Sequence, residues 1–105
     1  MIVYAVLNEG EIVFASEDEE LANSYADKSW QEDIQETADE YSFDLDNSKQ
    51  LDAAQYQAGF DGGVYDVVKV DTDKFDDNDE MTVQLSVGEE VIERYDLERF
   101  LWENM

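Results

Sequence analysis

The sequence predicts an α+β fold: a mostly antiparallel sheet of about five strands, a long acidic helix, and one or two short helices. Three observations carry that expectation. Short β-branched and aromatic runs alternate apolar and polar residues, as half-buried strands do. One stretch of about 25 residues instead repeats its apolar positions at helical spacing. The order β-β-α-(α)-β-β-β-α keeps hairpins together and inserts helices between them. With 105 residues, no proline and no low-complexity linker, residues 1–105 are expected to form one domain.

The elements follow in order. Ile2–Leu7 (IVYAVL) reads as a buried strand, Asn8-Glu9-Gly10-Glu11 as a turn, and Ile12–Ala15 as the returning strand. Ser16 is placed to cap the next helix, with Glu19 completing a capping box. Glu17–Glu20 then fill a first turn, where negative charge suits the helix dipole. Ala22, Ala26, Trp30, Ile34, Ala38 and Tyr41 form an apolar seam at spacings of four, four, four, four and three. Leu21 and Tyr25 lie off that seam, which leaves room for a kink near Asp27–Ser29. Ser42–Ser48 connects to a second helix, Lys49–Ala58, ended by the turn Gly59–Gly63. Val64–Asp71 alternates as a strand, Thr72–Glu80 is an acidic loop, and Met81–Val87 alternates again. Gly88-Glu89-Glu90 turns the chain into the strand Val91–Tyr95, and Asp96 caps a terminal helix with Leu97, Phe100 and Leu101 inward. Helices would cover one face of the sheet, leaving the other for water or a partner.

Composition bounds function. There are 29 Asp and Glu against 6 Lys and Arg, a net charge of −23. Residues 1–48 contribute −13 and residues 49–105 contribute −10, so the excess is not confined to a tail. An aromatic content of 12% separates the chain from acidic disordered segments. Such a surface repels nucleic acid and anionic membrane, both polyanions, and suits a basic protein. Cysteine and histidine are both absent. That removes thiolate nucleophiles, the commonest general base and the commonest metal ligand. No run of apolar residues is long enough to span a bilayer, and the opening MIVYAVLNEG lacks the basic start of a signal peptide, so a cytoplasmic location is expected.

Motif tests point away from catalysis. A calcium loop started at Asp71 meets Phe75 at its fifth position and Asp76 where glycine is required; one started at Asp44 fails at Gln50, Leu51 and Gln55. With 29 acids, some pair will stand at glycosidase spacing by chance, and no cleft singles one out. GFDGG lacks a following base and reads as a turn. No enzyme activity, metal or cofactor is expected. Trp30 falls on the seam and reads as core, Trp102 as partly exposed, and Tyr25 as the best candidate for an exposed aromatic contact.

The remaining anomaly is a row of acids. Glu32 is followed at four-residue steps by Glu36 and Glu40, where a helix gains support from Lys or Arg instead. Each like-charged pair costs a few tenths of a kcal/mol, roughly 0.2–0.5. Acids four apart stand about 6 Å apart along a helix. Each strand of duplex DNA presents a charge about every 3.4 Å.

In size, absence of cysteine, extreme acidity and acids carried on helices, the chain resembles the DNA-mimic proteins that bacteriophages and mobile elements encode against restriction enzymes, CRISPR effectors or DNA-repair enzymes. The opening IVYAVLNEGEIVFAS followed by DEELANSYA is also similar to small phage-encoded proteins with a hairpin and then a helix. The resemblance implies a stoichiometric inhibitor in the host cytoplasm whose acidic surface fills the nucleic-acid site of a basic partner. The residues expected to make that contact are Glu32, Asp33, Glu36, Asp39 and Glu40, with Asp44 and Asp46, and Asp73, Asp76, Asp77, Asp79 and Glu80. The competing expectations are solvent adaptation in a halophile or halophilic virus, an immunity-type protein binding a basic toxin, and a phage accessory protein without mimicry.

Overall fold

A computed structural model describes residues 1–86 and 88–103. Its elements are β1 (Ile2–Asn8), β2 (Glu11–Ser16), α1 (Glu19–Tyr41), α2 (Ser48–Gly62), β3 (Tyr65–Asp71), β4 (Glu80–Leu85), β5 (Gly88–Glu93) and α3 (Arg94–Glu103), with a 3-10 turn at Thr72–Lys74. The class is α+β, with five antiparallel strands as expected. The strands divide into a three-stranded sheet ordered β2-β1-β3 and a separate β4–β5 hairpin. Pairing runs Ile2 to Asp71 through Asn8 to Tyr65 on one side of β1, and Asn8 to Glu11 at the turn on the other. That turn has positive φ at both Glu9 (52°) and Gly10 (84°), the mirror-image geometry that matches hairpin twist.

Both faces of the larger sheet are covered, which corrects the expected open face. Ala5, Val6 and Leu7 are consecutive and all buried. Successive strand residues point to opposite faces, so burial of neighbours requires cover on both sides. Val3, Ala5, Leu7, Val68 and Val70 form one core with Val83 and Ile92 of the hairpin and Leu97 and Leu101 of α3. The opposite face carries Val6, paired with Phe14 and Val67, and lies under α1. Tyr25 of α1 stacks on Phe14 with ring centroids 4.5 Å apart. Tyr25 is thus exposed on one side, as expected, while its other side packs helix against sheet.

Several boundaries move. Asp18, not Ser16, caps α1, its carboxylate accepting from the Glu20 and Leu21 amides, while the Ser16 hydroxyl accepts from the Asp18 amide. A single carboxylate oxygen of Asp18, next to the helix, takes both amides, while Ser16 still belongs to β2. α1 is continuous through Asp27–Ser29, with no break. It ends where Ser42 turns left-handed (φ 59°) and the Ser42 and Phe43 amides both donate to the Ala38 carbonyl. α2 runs on through Gly59 to Gly62, and only Gly63 (φ 75°) stops it. Gly88, Glu89 and Glu90 are strand and not turn, β5 ends at Glu93, and Asp96 lies inside α3. The Val87 end of the expected strand lies outside the described residues.

The C-terminal half of α1 has α2 as its main partner. Ile34, Ala54 and Ala58 form a second small core, flanked by Trp30, Phe43, Leu45 and Leu51. This helical pair prolongs the molecule to 50 × 27 × 17 Å, with a radius of gyration of 15.6 Å. A compact chain of this length has about 13 Å. No helix is long and apolar enough to cross a membrane among the described residues.

Candidate functional site

The acids expected to bind a partner fall into two groups. Glu32, Glu36, Asp39 and Glu40 are exposed on the side of α1 away from Ile34 and Ala38. They follow from the buried seam: placing Ile34 and Ala38 against α2 turns positions 32, 36 and 39 outward. The only side-chain bond on this row joins, among the described residues, the Gln35 amide to Asp39 at 3.1 Å. No ion pair involves α1 among those residues, although Lys28 stands four residues before Glu32. The last turn of α1 also has no base. Asp39 and Glu40 therefore sit at the negative end of the helix dipole, where acids are disfavoured.

Asp33 differs from its neighbours. It is half-buried, and the Tyr65 hydroxyl donates to it at 2.8 Å. Partial burial, that hydrogen bond and the nearby carboxylate push the Tyr65 hydroxyl up to about 12. A Cβ on Gly62 would stand 3.2 Å from the same carboxylate oxygen, so a glycine lets the α2 end close over it. Asn8 joins this knot by donating to the Gly62 and Val64 carbonyls at 2.8 and 3.1 Å. Asp33 is thus engaged in tying α1 to β3.

Asp44 and Asp46 continue past the end of the row in the connector between α1 and α2, both exposed. Asp44 accepts from the Asp46 amide at 3.0 Å, a local turn bond. Tyr41 stacks on Phe43 and donates to Asp61 of α2 at 3.4 Å. The Asp61 charge raises the Tyr41 hydroxyl, with lesser contributions from burial and Glu40.

The second group stands elsewhere. Asp73 lies 3.3 Å from the N-terminal ammonium. Asp76 accepts from the Asn78 and Glu80 amides at 2.9 and 3.0 Å. Asp79, left-handed at φ 59°, pairs with Arg94 at 3.0 Å. Asp77 is exposed, and Glu80 is half-buried at the start of β4. This loop adjoins the Ile2–Asp71 end of the sheet, whereas Asp33 meets Tyr65 at the Asn8 end. β1 separates the two ends by about 20 Å, at 3.3 Å per residue. The two acidic groups are opposite ends of an elongated body and not one patch.

Sequence reasoning missed a third acidic surface. Glu9, Asp66, Glu89 and Glu90 surround a hollow of about 380 Å³ floored by Val64 and Leu85. A Cβ on Gly63 would meet the Glu9 side chain at 2.6 Å, and one on Gly10 would meet Glu90 at 2.7 Å. The two glycines thus admit the acids, and the cluster assembles only when the β1–β2 turn and the start of β5 meet the end of α2 and the start of β3. Exposed aromatics were missed as well: Tyr56 and Phe60 stand out from α2, Tyr95 from α3, and Tyr41 of the expected seam is also exposed. For Tyr56 and Phe60, a four-residue separation within an amphipathic helix was the available signal.

Across the whole molecule, 23 net charges over a 50 Å long axis amount to one per about 2.2 Å. Duplex DNA carries one per about 1.7 Å of axis. No protein-family model matches the chain, and neither a curated protein nor a solved structure is detectably similar to it.

Proposed function

We propose that this protein is a stoichiometric inhibitor that occupies the nucleic-acid-binding surface of a basic protein. The observation that carries the reading is linear charge density: an elongated body bearing net negative charge at close to the spacing of duplex phosphates. The α1 row supports it, since those acids oppose one another and the helix dipole and satisfy no fold requirement. A basic groove would meet the row as it meets phosphates, with attraction that speeds encounter and fades with salt. The protein acts by occupation and not by catalysis, in the cytoplasm of the cell that harbours the target. A restriction, CRISPR or repair enzyme fits that description.

The test is capture from host lysate at low and high salt, followed by elution with duplex DNA. The reading expects a captured protein that DNA displaces. It expects Glu32→Lys, Glu36→Lys and Glu40→Lys together to abolish capture with the circular dichroism unchanged. Capture indifferent to DNA and to the triple reversal sinks it.

A second reading, solvent adaptation, is favoured by the spread of the acids over three separated regions. Both readings expect some gain of stability with salt through screening. Only solvent adaptation expects the chain to be unfolded near physiological salt and folded in molar KCl.

A further inference from the structure

We propose, given a basic partner as read above, that the hollow between α1 and the start of β3 receives an arginine side chain of that partner. Ala26, Asp27 and Trp30 line it from the helix, and Val64 and Tyr65 from the strand side, around about 340 Å³. Trp30 stands four residues after Ala26 and three after Asp27, so the three share one side of α1. The alanine leaves the space that a larger residue would fill. Ligand pockets start at roughly 300 Å³, so this one is sized for a single side chain.

Both rings are fixed before anything arrives. The Tyr65 hydroxyl donates to Asp33 at 2.8 Å, which holds the phenol against α1. The far edge of the Trp30 indole rests on α2, where a Cβ on Gly59 would stand 3.6 Å from it. Neither ring has to be ordered on binding, which removes one cost of association.

Charge selects what enters. Asp27 is exposed at the hollow, and among the described residues it makes no hydrogen bond or ion pair. Lys28 does not neutralise it, because residues two apart on a helix project about 200° apart, which turns Lys28 away from Trp30. An aromatic-walled hollow with an unpaired carboxylate and no base suits a cation. Arginine suits it better than lysine. Its guanidinium is planar and weakly hydrated, stacks on aromatic rings and offers several donors to a carboxylate. Its methylene stem can lie along Ala26 and Val64. Grooves built for phosphates favour arginine for the same planar fork. Along the helix axis the hollow sits just before Glu32, so a partner held by the acidic row has an arginine within reach.

The experiment reads Trp30 directly. Trp102→Phe leaves Trp30 as the only indole, and Trp102 is 81% exposed, so the fold does not depend on it. This chain is titrated with Nα-acetyl-arginine amide at a constant ionic strength of about 0.15 M, and indole fluorescence is followed. A saturable change in the millimolar range is expected. The response should be at least about threefold weaker with Nα-acetyl-lysine amide and absent with Nα-acetyl-norleucine amide. Asp27→Asn should weaken arginine binding at least about threefold, whereas Glu36→Gln, elsewhere on α1, should leave it within about twofold, with circular dichroism unchanged in both. No saturable change overturns the proposal. So does an equal response to the lysine or norleucine amide, or one that Asp27→Asn leaves intact. The probe needs no target, so a failure here leaves lysate capture standing, and a failure of capture leaves this titration unmoved.

Discussion

Replacing Glu40 by Lys should stabilise this protein, and the size of the gain follows from three contributions. Glu36 and Glu40 are exposed and four apart on α1, so the change removes a like-charged pair and creates an opposite-charged one in the favourable order. Each is worth roughly 0.2–0.5 kcal/mol. Residue 40 also lies in the last turn, which has no base. Turning an unfavourable dipole interaction into a favourable one adds about 0.6 kcal/mol at the exposed, low end of the range. The sum is about 1 kcal/mol at low salt, or about 4–8 °C in Tm for a domain near 100 residues. Thermal unfolding by circular dichroism at low salt measures it, and the gain should shrink in molar salt. An unchanged or lower Tm would mean that Glu40 supports the fold, and the row would lose its standing as a surface kept for another purpose.

Three further outcomes test the structural account. Tyr65→Phe removes the donor to half-buried Asp33 and should cost about 1–3 kcal/mol in denaturant unfolding. The Tyr65 hydroxyl is pushed up to about 12 when folded against an ordinary 10.0, so its contribution is full below pH 10 and lost as pH rises to 12; phenolate absorbance should show a late-ionising step that Tyr65→Phe removes. Leu97→Ala empties a fully buried site between α3 and the sheets and should cost about 2–5 kcal/mol, read as a lower denaturant midpoint. Asp18→Ala should cost about 1 kcal/mol by the same assay and more than Ser16→Ala, because Asp18 holds the two first-turn amides.

Periodicity made most elements legible. The alternation of Tyr65–Asp71 and the four-residue seam from Ala22 to Ala38 each specify a local geometry, and both elements formed. What periodicity omits is which strands pair. Nothing in Glu80–Leu85 says whether it joins β3 or stands apart with β5, because that choice depends on Val83 and Ile92 meeting a core assembled from distant residues. Glycines misled for a related reason. Gly59 and Gly62 suggest a turn, yet Trp30 packs over Gly59 and Asp33 closes against Gly62, so tertiary contact outweighs their weak helix propensity.

The candidate site was legible in part. Acids at positions 32, 36 and 40 must share a helix face, and they do lie exposed together. That Asp33 is tied to Tyr65 could not be seen without knowing that β3 returns beneath α1. The separation of Asp73–Glu80 from the helical row likewise depends on strand pairing. A cluster such as Glu9, Asp66, Glu89 and Glu90 comes from three distant segments and leaves no spacing to read.

The central claim is that the negative surface stands in for nucleic-acid phosphates. Its most direct test is whether duplex DNA and this protein exclude each other from the protein captured out of host lysate at low salt. Mutual displacement is predicted, weakening as salt rises and lost with Glu32→Lys, Glu36→Lys and Glu40→Lys in a chain that remains folded. Simultaneous binding of DNA and this protein to the captured protein would contradict the account.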